Sequence, residues 1–190
     1  MANKKVDEKK IKTSSDRLLT KNGLLELIEK EGTHREFIHI GLRCQIQRQG
    51  NHGQLNGYVS VPKSHPLYNI NYSDSYCIIA NCDIHRINSS LDVHRGIKYT
   101  GMSVDGKWVF GFDTMHSGDI AFFDNFDTVY PGDIAFFDRV ELLNADDKNA
   151  TYKDMAYVII QTKKLAEQLA DLDKWEVSKN HLATKKKEGE

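Results

Sequence analysis

Three shortages narrow the possibilities before any motif is considered: patterned cysteine, long apolar runs and an excess of charge of one sign. The chain holds 3 cysteines, Cys44, Cys77 and Cys82, with no C-x-x-C spacing. That composition supports neither a disulfide framework nor a zinc knuckle, and it suits a reducing cytosol. No apolar stretch approaches bilayer length, and the charged start lacks the apolar segment of a secretion signal, so a soluble cytosolic protein with no membrane partner is expected. Lys+Arg (26) and Asp+Glu (27) nearly cancel, which argues against a dedicated phosphate-backbone binder. The nucleophile elbow G-x-S-x-G, the Walker G-x-x-x-x-G-K-[ST] loop and a G-x-G-x-x-G after a strand are all missing. Covalent acyl transfer, ordinary NTPases and dinucleotide dehydrogenases lose support with them.

What is present suits one core of ordinary size: 190 residues, 39% of them hydrophobic. Lys4, Lys5, Lys9, Lys10 and Lys12 make residues 1–13 a basic tail, Lys185 to Lys187 do the same within 175–190, and both tails are expected to be disordered. Residues 14–174 are expected to form a single α+β domain. Ser14, Ser15 and Asp16 offer N-caps for a helix through Leu18, Leu19, Leu24, Leu25 and Ile28, weakened at Gly23 and ended at Gly32. Phe37 to Ile46 alternates as one strand, with Ile38 to Ile46 on a single face, and Tyr58 to Val61 is another, stopped by Pro62. From Thr151 onward, Tyr152, Met155, Ala156, Ile159, Leu165, Ala166 and Leu169 mark a long amphipathic helix. The expected architecture is a mostly antiparallel sheet of about five strands packed by an N-terminal and a long C-terminal helix.

The densest signal runs from Leu91 to Asp119. Asp105-Gly106 between two strand-forming runs predicts a two-residue hairpin turn. That turn pairs Ser103 with Trp108, Gly101 with Phe110, Tyr99 with Phe112 and Lys98 with Asp113. One face then carries Ile97, Tyr99, Trp108, Phe110 and Phe112 and should be buried. The other carries His94, Gly96, Lys98, Thr100, Met102, Val109, Gly111 and Asp113 and is left for solvent or a ligand.

Asp113, His116 and Asp119 recur every third residue, with His94 on the neighbouring strand. His and carboxylate ligands would suit a transition metal, but Gly118 argues against a regular helix there and the spacing is not a strong metal motif, so neither a metal nor another cofactor is expected. The same residues support acid–base work, with His94 or His116 as general base or acid, Asp92, Asp113 or Asp119 orienting the ring, and Arg95 and Lys98 holding phosphate. Binding without chemistry needs less. Gly96, Gly101 and Gly111 would let a ligand approach the backbone, and Tyr99, Tyr68 or Tyr72 would stack on a base if they lie at a rim. His65, directly before Pro66, reads first as an extended loop residue.

Gly118-Asp119-Ile120-Ala121-Phe122-Phe123-Asp124 recurs fourteen residues later as Gly132 to Asp138. Two copies at that period cannot stack into a solenoid, so a local duplication that lengthens a loop or adds a hairpin is expected. Its phenylalanines offer an apolar patch for a partner protein or a homo-oligomer contact.

Gly57-Tyr58-Val59-Ser60-Val61-Pro62 with His65-Pro66, Val93-His94-Arg95-Gly96 with Tyr99, Gly111-Phe112-Asp113 with His116 and Gly118-Asp119, and Tyr152 with Asp154 and Tyr157-Val158 follow one another in fixed order. Together, over roughly residues 57 to 170, they resemble a largely uncharacterised family of small phage and prophage proteins with the motifs G-Y-V-x-V-P-x-x-H-P, V-H-G-G-[IL]-T-Y, W-x-G-F-D-x-x-H-x-G-D and Y-x-D-x-x-Y-V. The chain departs from that pattern at Arg95, where the family has glycine, at Thr100, which follows rather than precedes its tyrosine, and in the insertion after Asp119. The matching polar positions are His65, His94, Asp113, His116 and Asp119, which raises His65 to a rim residue of the expected site.

The resemblance implies a phage-type accessory protein in the host cell cytosol that antagonises defence. The expected function is to bind and sequester a nucleotide-derived immune signal, with His65, His94, Arg95, Lys98, Asp113, His116 and Asp119 contacting it. Two alternatives stand beside it: a phosphodiesterase-type hydrolase of a cyclic nucleotide that uses His94, His116, Asp113 and Asp119, and an inhibitor that binds a host defence protein through the Phe-rich repeat.

Overall fold

A computed structural model describes residues 10–50, 53–77, 84–123, 141–144 and 147–171. Contacts divide the chain into two compact units: Met1–His34, Gln47–Leu55 and Thr114–Val158 in the first, Arg35–Ile46, Asn56–Asp113 and Ile159–Glu190 in the second. The class is α+β, as expected from the sequence.

The first unit is built on a mixed five-stranded sheet. Its strands are β1 (Ile11–Thr13), β2 (Leu18–Leu19), β10 (Asp119–Phe123), β11 (Glu141–Leu143) and β12 (Thr151–Tyr152), in the order β11-β10-β12-β1-β2. β12 runs parallel to both β10 and β1, while the outer pairs are antiparallel. Ile11–Thr13 therefore belongs to the sheet and not to the tail expected over residues 1–13. Ile11 and Thr13 point inward and are buried, and Lys12 between them pairs with Asp16 at the surface. A cluster of lysines around a two-residue apolar alternation is too short to read as a strand from sequence.

Helix α1 (Lys21–Glu31) starts later than expected because Leu18–Leu19 is strand. Thr20 is the N-cap, its hydroxyl accepting from the Gly23 N–H at 3.1 Å, and Gly32, at φ 75°, ends the helix as its sequence position implies. Leu24 packs with Ile11, Ile120, Ala150 and Tyr152. The N-terminal helix thus covers the mixed sheet of its own unit.

The expected antiparallel sheet has most of its residues in the second unit. It is formed by β3 (His34–His39), β4 (Leu42–Arg48), β5 (Leu55–Val61), β8 (Tyr99–Met102) and β9 (Trp108–Phe112), in the order β3-β4-β5-β9-β8. A ribbon of β6 (Ser75–Cys77) and β7 (Ile84–Arg86) and a single turn of helix, α2 (Ile87–Ser90), lie between β5 and β8 in the chain. Helix α3 (Met155–Ala170) begins with Asp154, whose Oδ1 accepts from the Tyr157 N–H at 3.0 Å. Its residues Leu165, Ala166 and Leu169 are buried, and Thr162 faces Gly57 of β5.

The single strand expected over Phe37 to Ile46 is a hairpin. Ile40 and Gly41 form its turn, at φ 48° and 74°, the positive pair that a two-residue turn of matching twist requires. A β-branched residue is a poor occupant of that conformation, so nothing in Ile40 announces a turn. Ile38 and Ile40 are consequently exposed, whereas Cys44 and Ile46 are fully buried.

The β8–β9 hairpin is one residue out of the expected register. The pairs are Tyr99 with Gly111, Thr100 with Phe110, Gly101 with Val109 and Met102 with Trp108. Ser103 and Lys107 close the loop, the Ser103 N–H donating to the Lys107 carbonyl, and Gly106 takes φ 73°. That is a three-residue loop, with the glycine in the left-handed position that such loops use. The slip of one residue exchanges the faces of β8 relative to β9. Thr100 and Met102 join Trp108, Phe110 and Phe112, and Tyr99 and Gly101 join Val109 and Gly111. Tyr99 therefore leaves the core and is 47% exposed. Sequence alternation could not reveal this, because all five residues of β9 are buried.

The expected repeat has its first copy partly in β10. Its second copy lies outside the described residues, as do residues 1–9 and the tail over 175–190. Among the described residues no helix is long and apolar enough to cross a membrane.

Candidate functional site

The two units divide the residues selected from the sequence. His116 and Asp119 belong to the first, and His65, His94, Arg95, Lys98 and Asp113 to the second.

In the first unit the loop after Thr114 folds back on itself. The His116 N–H donates to Asp119 Oδ2 at 3.1 Å, and the Asp119 N–H returns to the His116 carbonyl at 2.9 Å. Lys153 Nζ lies 3.3 Å from Asp119 Oδ1, bonds the Thr151 hydroxyl, and sits 5.7 Å from the centre of the Tyr157 ring. Asn144 holds the Asp119 carbonyl at 2.8 Å. Asp119 is 2% exposed, so its carboxylate secures the loop and anchors a lysine that sequence spacing did not suggest.

A second buried network in this unit was also invisible in the sequence. The Arg48 guanidinium donates to the carbonyls of Gly32 and Gly53, to the Tyr152 hydroxyl at 2.8 Å and to Glu31 Oε2 at 2.9 Å. Tyr152 in turn donates to Glu31 Oε2, while Glu31 Oε1 accepts the Met155 N–H. Burial pushes the Tyr152 phenol well above its ordinary range, with Arg48 opposing that shift. This network closes the helix C-cap, a loop, a strand and the next helix on one charge pair, and it is structural.

In the second unit His65 is 6% exposed. Its Nδ1 accepts the Leu67 N–H at 3.1 Å, which leaves the proton on Nε2, and Nε2 donates to the Leu169 carbonyl at 2.7 Å. Both ring nitrogens are engaged, so His65 ties the loop after Pro62 to α3. It also borders a recess of about 190 Å³ lined chiefly by Ile40, Leu42, Pro62, Leu169 and Ala170. Burial lowers its pKa, only partly offset by the bond to Leu169. A lowered folded pKa means that the unfolded chain binds the proton more readily. The His65 contribution is therefore complete above about pH 6.5 and is lost as pH falls through the folded value. Unfolding midpoints measured between about pH 6.5 and 5 should fall more steeply for the native chain than for His65→Asn; equal slopes would assign the pH dependence to other groups.

The His94 N–H donates to Gln161 Oε1 of α3 at 3.0 Å. Arg95 and Gly96 both take positive φ, 54° and 80°, and turn the chain into β8. A Cβ at position 96 would meet the Asn88 carbonyl at 2.6 Å, which explains the glycine by packing. Arg95 and Lys98 are exposed, and the Lys98 N–H donates to the Gly111 carbonyl at 2.9 Å, not toward Asp113 as the expected register implied. Cys44 is buried and its thiol is pushed up to about 11 by desolvation, which removes it as a nucleophile at neutral pH.

The register brings together a group that the sequence had separated. Tyr58 of β5 pairs with Gly111, and Gly111 pairs with Tyr99, so both tyrosines rise from one row on the sheet face opposite α3. Their rings meet edge to face, with centroids 6.0 Å apart and planes at 90°. A Cβ on Gly101 would overlap the Tyr99 phenol, and one on Gly111 would come within 2.6 Å of the Tyr58 ring. The glycines therefore seat tyrosine rings; they do not open bare backbone to a ligand. Asn56 Nδ2 donates to the Tyr58 hydroxyl at 3.1 Å. Arg43, on the same face, is held by Glu36 through bonds of 2.6 and 3.1 Å and lies 3.7 Å from Asp105. The alternation of Tyr58 between Gly57 and Val59 was the available signal for this face.

Comparison with protein-family models, curated proteins and solved structures returns no match, so a functional reading stands on these residues. Among the described residues no group of three or more His, Cys, Asp or Glu side chains is arranged to hold a metal ion.

Proposed function

We propose that the protein binds a nucleotide-derived small molecule on the outward face of the antiparallel sheet, with Tyr99 as the platform for the base. The single observation that carries this reading is a half-exposed tyrosine seated on a glycine and braced at right angles by Tyr58. Aromatic rings laid on a sheet are how proteins commonly take up unpaired bases, since every base offers a π-face. Arg95 and Lys98 are exposed on the chain that leads into β8, and a guanidinium or ammonium is the kind of group that would meet a phosphate. His94 and Asp113 flank the same strands. The resemblance to phage proteins supplies the setting in which such a ligand would be a host immune signal and its capture an anti-defence activity.

The test is to incubate the protein with cyclic nucleotides and cyclic ADP-ribose isomers, isolate the complex, denature it and analyse what is released. Intact ligand supports sequestration. A chemically altered ligand would replace this reading with hydrolysis, and failure to retain any nucleotide would remove it.

A further inference from the structure

We infer that this face accepts one nucleobase at a time, so that its ligand is a mononucleotide-type unit and not a run of single-stranded nucleic acid. The inference rests on the reading of the Tyr58–Tyr99 face as a base platform. Consecutive bases in a strand stack with nearly parallel planes, and proteins that track strands meet them with successive rings along a groove. Here the two ring planes are perpendicular at a centroid distance of 6.0 Å. A base lying on one ring meets the other from the side, where it bounds the base and offers no second stacking position.

Each ring is seated over a glycine. The Tyr58 ring fills the space above Gly111 and its hydroxyl is held by Asn56, while the Tyr99 phenol fills the space above Gly101. Both tyrosines flank the same central residue in the register, which converges their rings over one small area.

Charge gives an independent argument of the same sign. Strand binding draws on a row of cations along the backbone path. On this face Arg43 is committed to Glu36 and Asp105, and Lys107 also pairs with Asp105 at 3.1 Å. Among the described residues, Arg95 and Lys98 are exposed on the short stretch of chain that enters β8. The net charge of the chain, −1, adds no long-range attraction for a polyanion.

The experiment compares the full chain's binding of nucleoside 5′-monophosphates with that of single-stranded tetranucleotides of the same base, at about 50 and 200 mM salt. The expected result is a per-base affinity for the tetranucleotide within about threefold of the monophosphate, with a shallow salt dependence that corresponds to counterion release from about one contacted phosphate. Binding of the tetranucleotide about a hundredfold tighter, with a steep loss at high salt, would overturn the single-base inference while leaving the stacking platform intact. If neither probe binds at millimolar concentration, the platform reading itself fails and the inference fails with it.

Discussion

Replacing Arg48 by methionine is expected to destabilise the protein by about 3–5 kcal/mol, the range found when one partner of a buried ion pair is removed. The cause is what remains behind. The Glu31 carboxylate, its side chain 8% exposed, would keep its bonds to Tyr152 and the Met155 N–H but lose its counter-charge. The carbonyls of Gly32 and Gly53 would lose their donor as well. The double variant Glu31→Leu with Arg48→Met should be less damaged than the single one, because an apolar pair leaves no buried charge unmatched. Urea unfolding midpoints of the native chain, both singles and the double measure this. A single-variant loss below about 1 kcal/mol would place the pair among the surface bridges that contribute little.

Gly57→Ala carries the second large effect, and it comes from space alone. A Cβ at that position would overlap both the Phe112 ring and the Thr162 hydroxyl. Phe112 is 1% exposed and Thr162 is buried on α3, so neither neighbour has room to yield. Overpacking of a closed core costs about 1–3 kcal/mol, and the backbone approach of helix to sheet should put this case near the upper end. Thr162→Ala in the Gly57→Ala background removes one of the two collisions and should recover part of the loss. An unchanged thermal midpoint for Gly57→Ala would show that the helix does not press on the sheet at this point.

The same glycine shows what the sequence made legible and what it did not. Gly57 sits inside a strand run, where glycine signals close approach, yet the run does not say that a helix hydroxyl is the object approached. Gly32 as a helix stop and Leu165 to Leu169 as a buried stripe were readable because capping and helical periodicity are local. The turn at Ile40–Gly41 was not, because its first residue is one that left-handed backbone disfavours. The β8–β9 register was missed by one residue because Asp105-Gly106 satisfies a two-residue and a three-residue loop equally well, and a fully buried β9 gives no alternation to choose between them.

That single slip decided the candidate site. The expected pairing buried Tyr99 and left Gly101 and Gly111 open on the opposite face. The observed pairing puts all three on one face with Tyr58. The polar residues picked by spacing fared differently. His65 and Asp119 proved to be anchoring groups with specific partners, a role that depends on where Leu169 and Lys153 arrive in three dimensions. Arg95 and Lys98 are exposed.

The most direct test of the base platform is equilibrium binding of the retained nucleotide to the native chain, Tyr99→Phe and Tyr99→Ala, with unfolding midpoints recorded alongside. The account predicts that Tyr99→Phe binds as the native chain does. Tyr99→Ala should lose about 1–3 kcal/mol of stacking, roughly five- to 150-fold in affinity, because it removes the ring without disturbing a core residue. Equal affinity of Tyr99→Ala and the native chain for the nucleotide would contradict it.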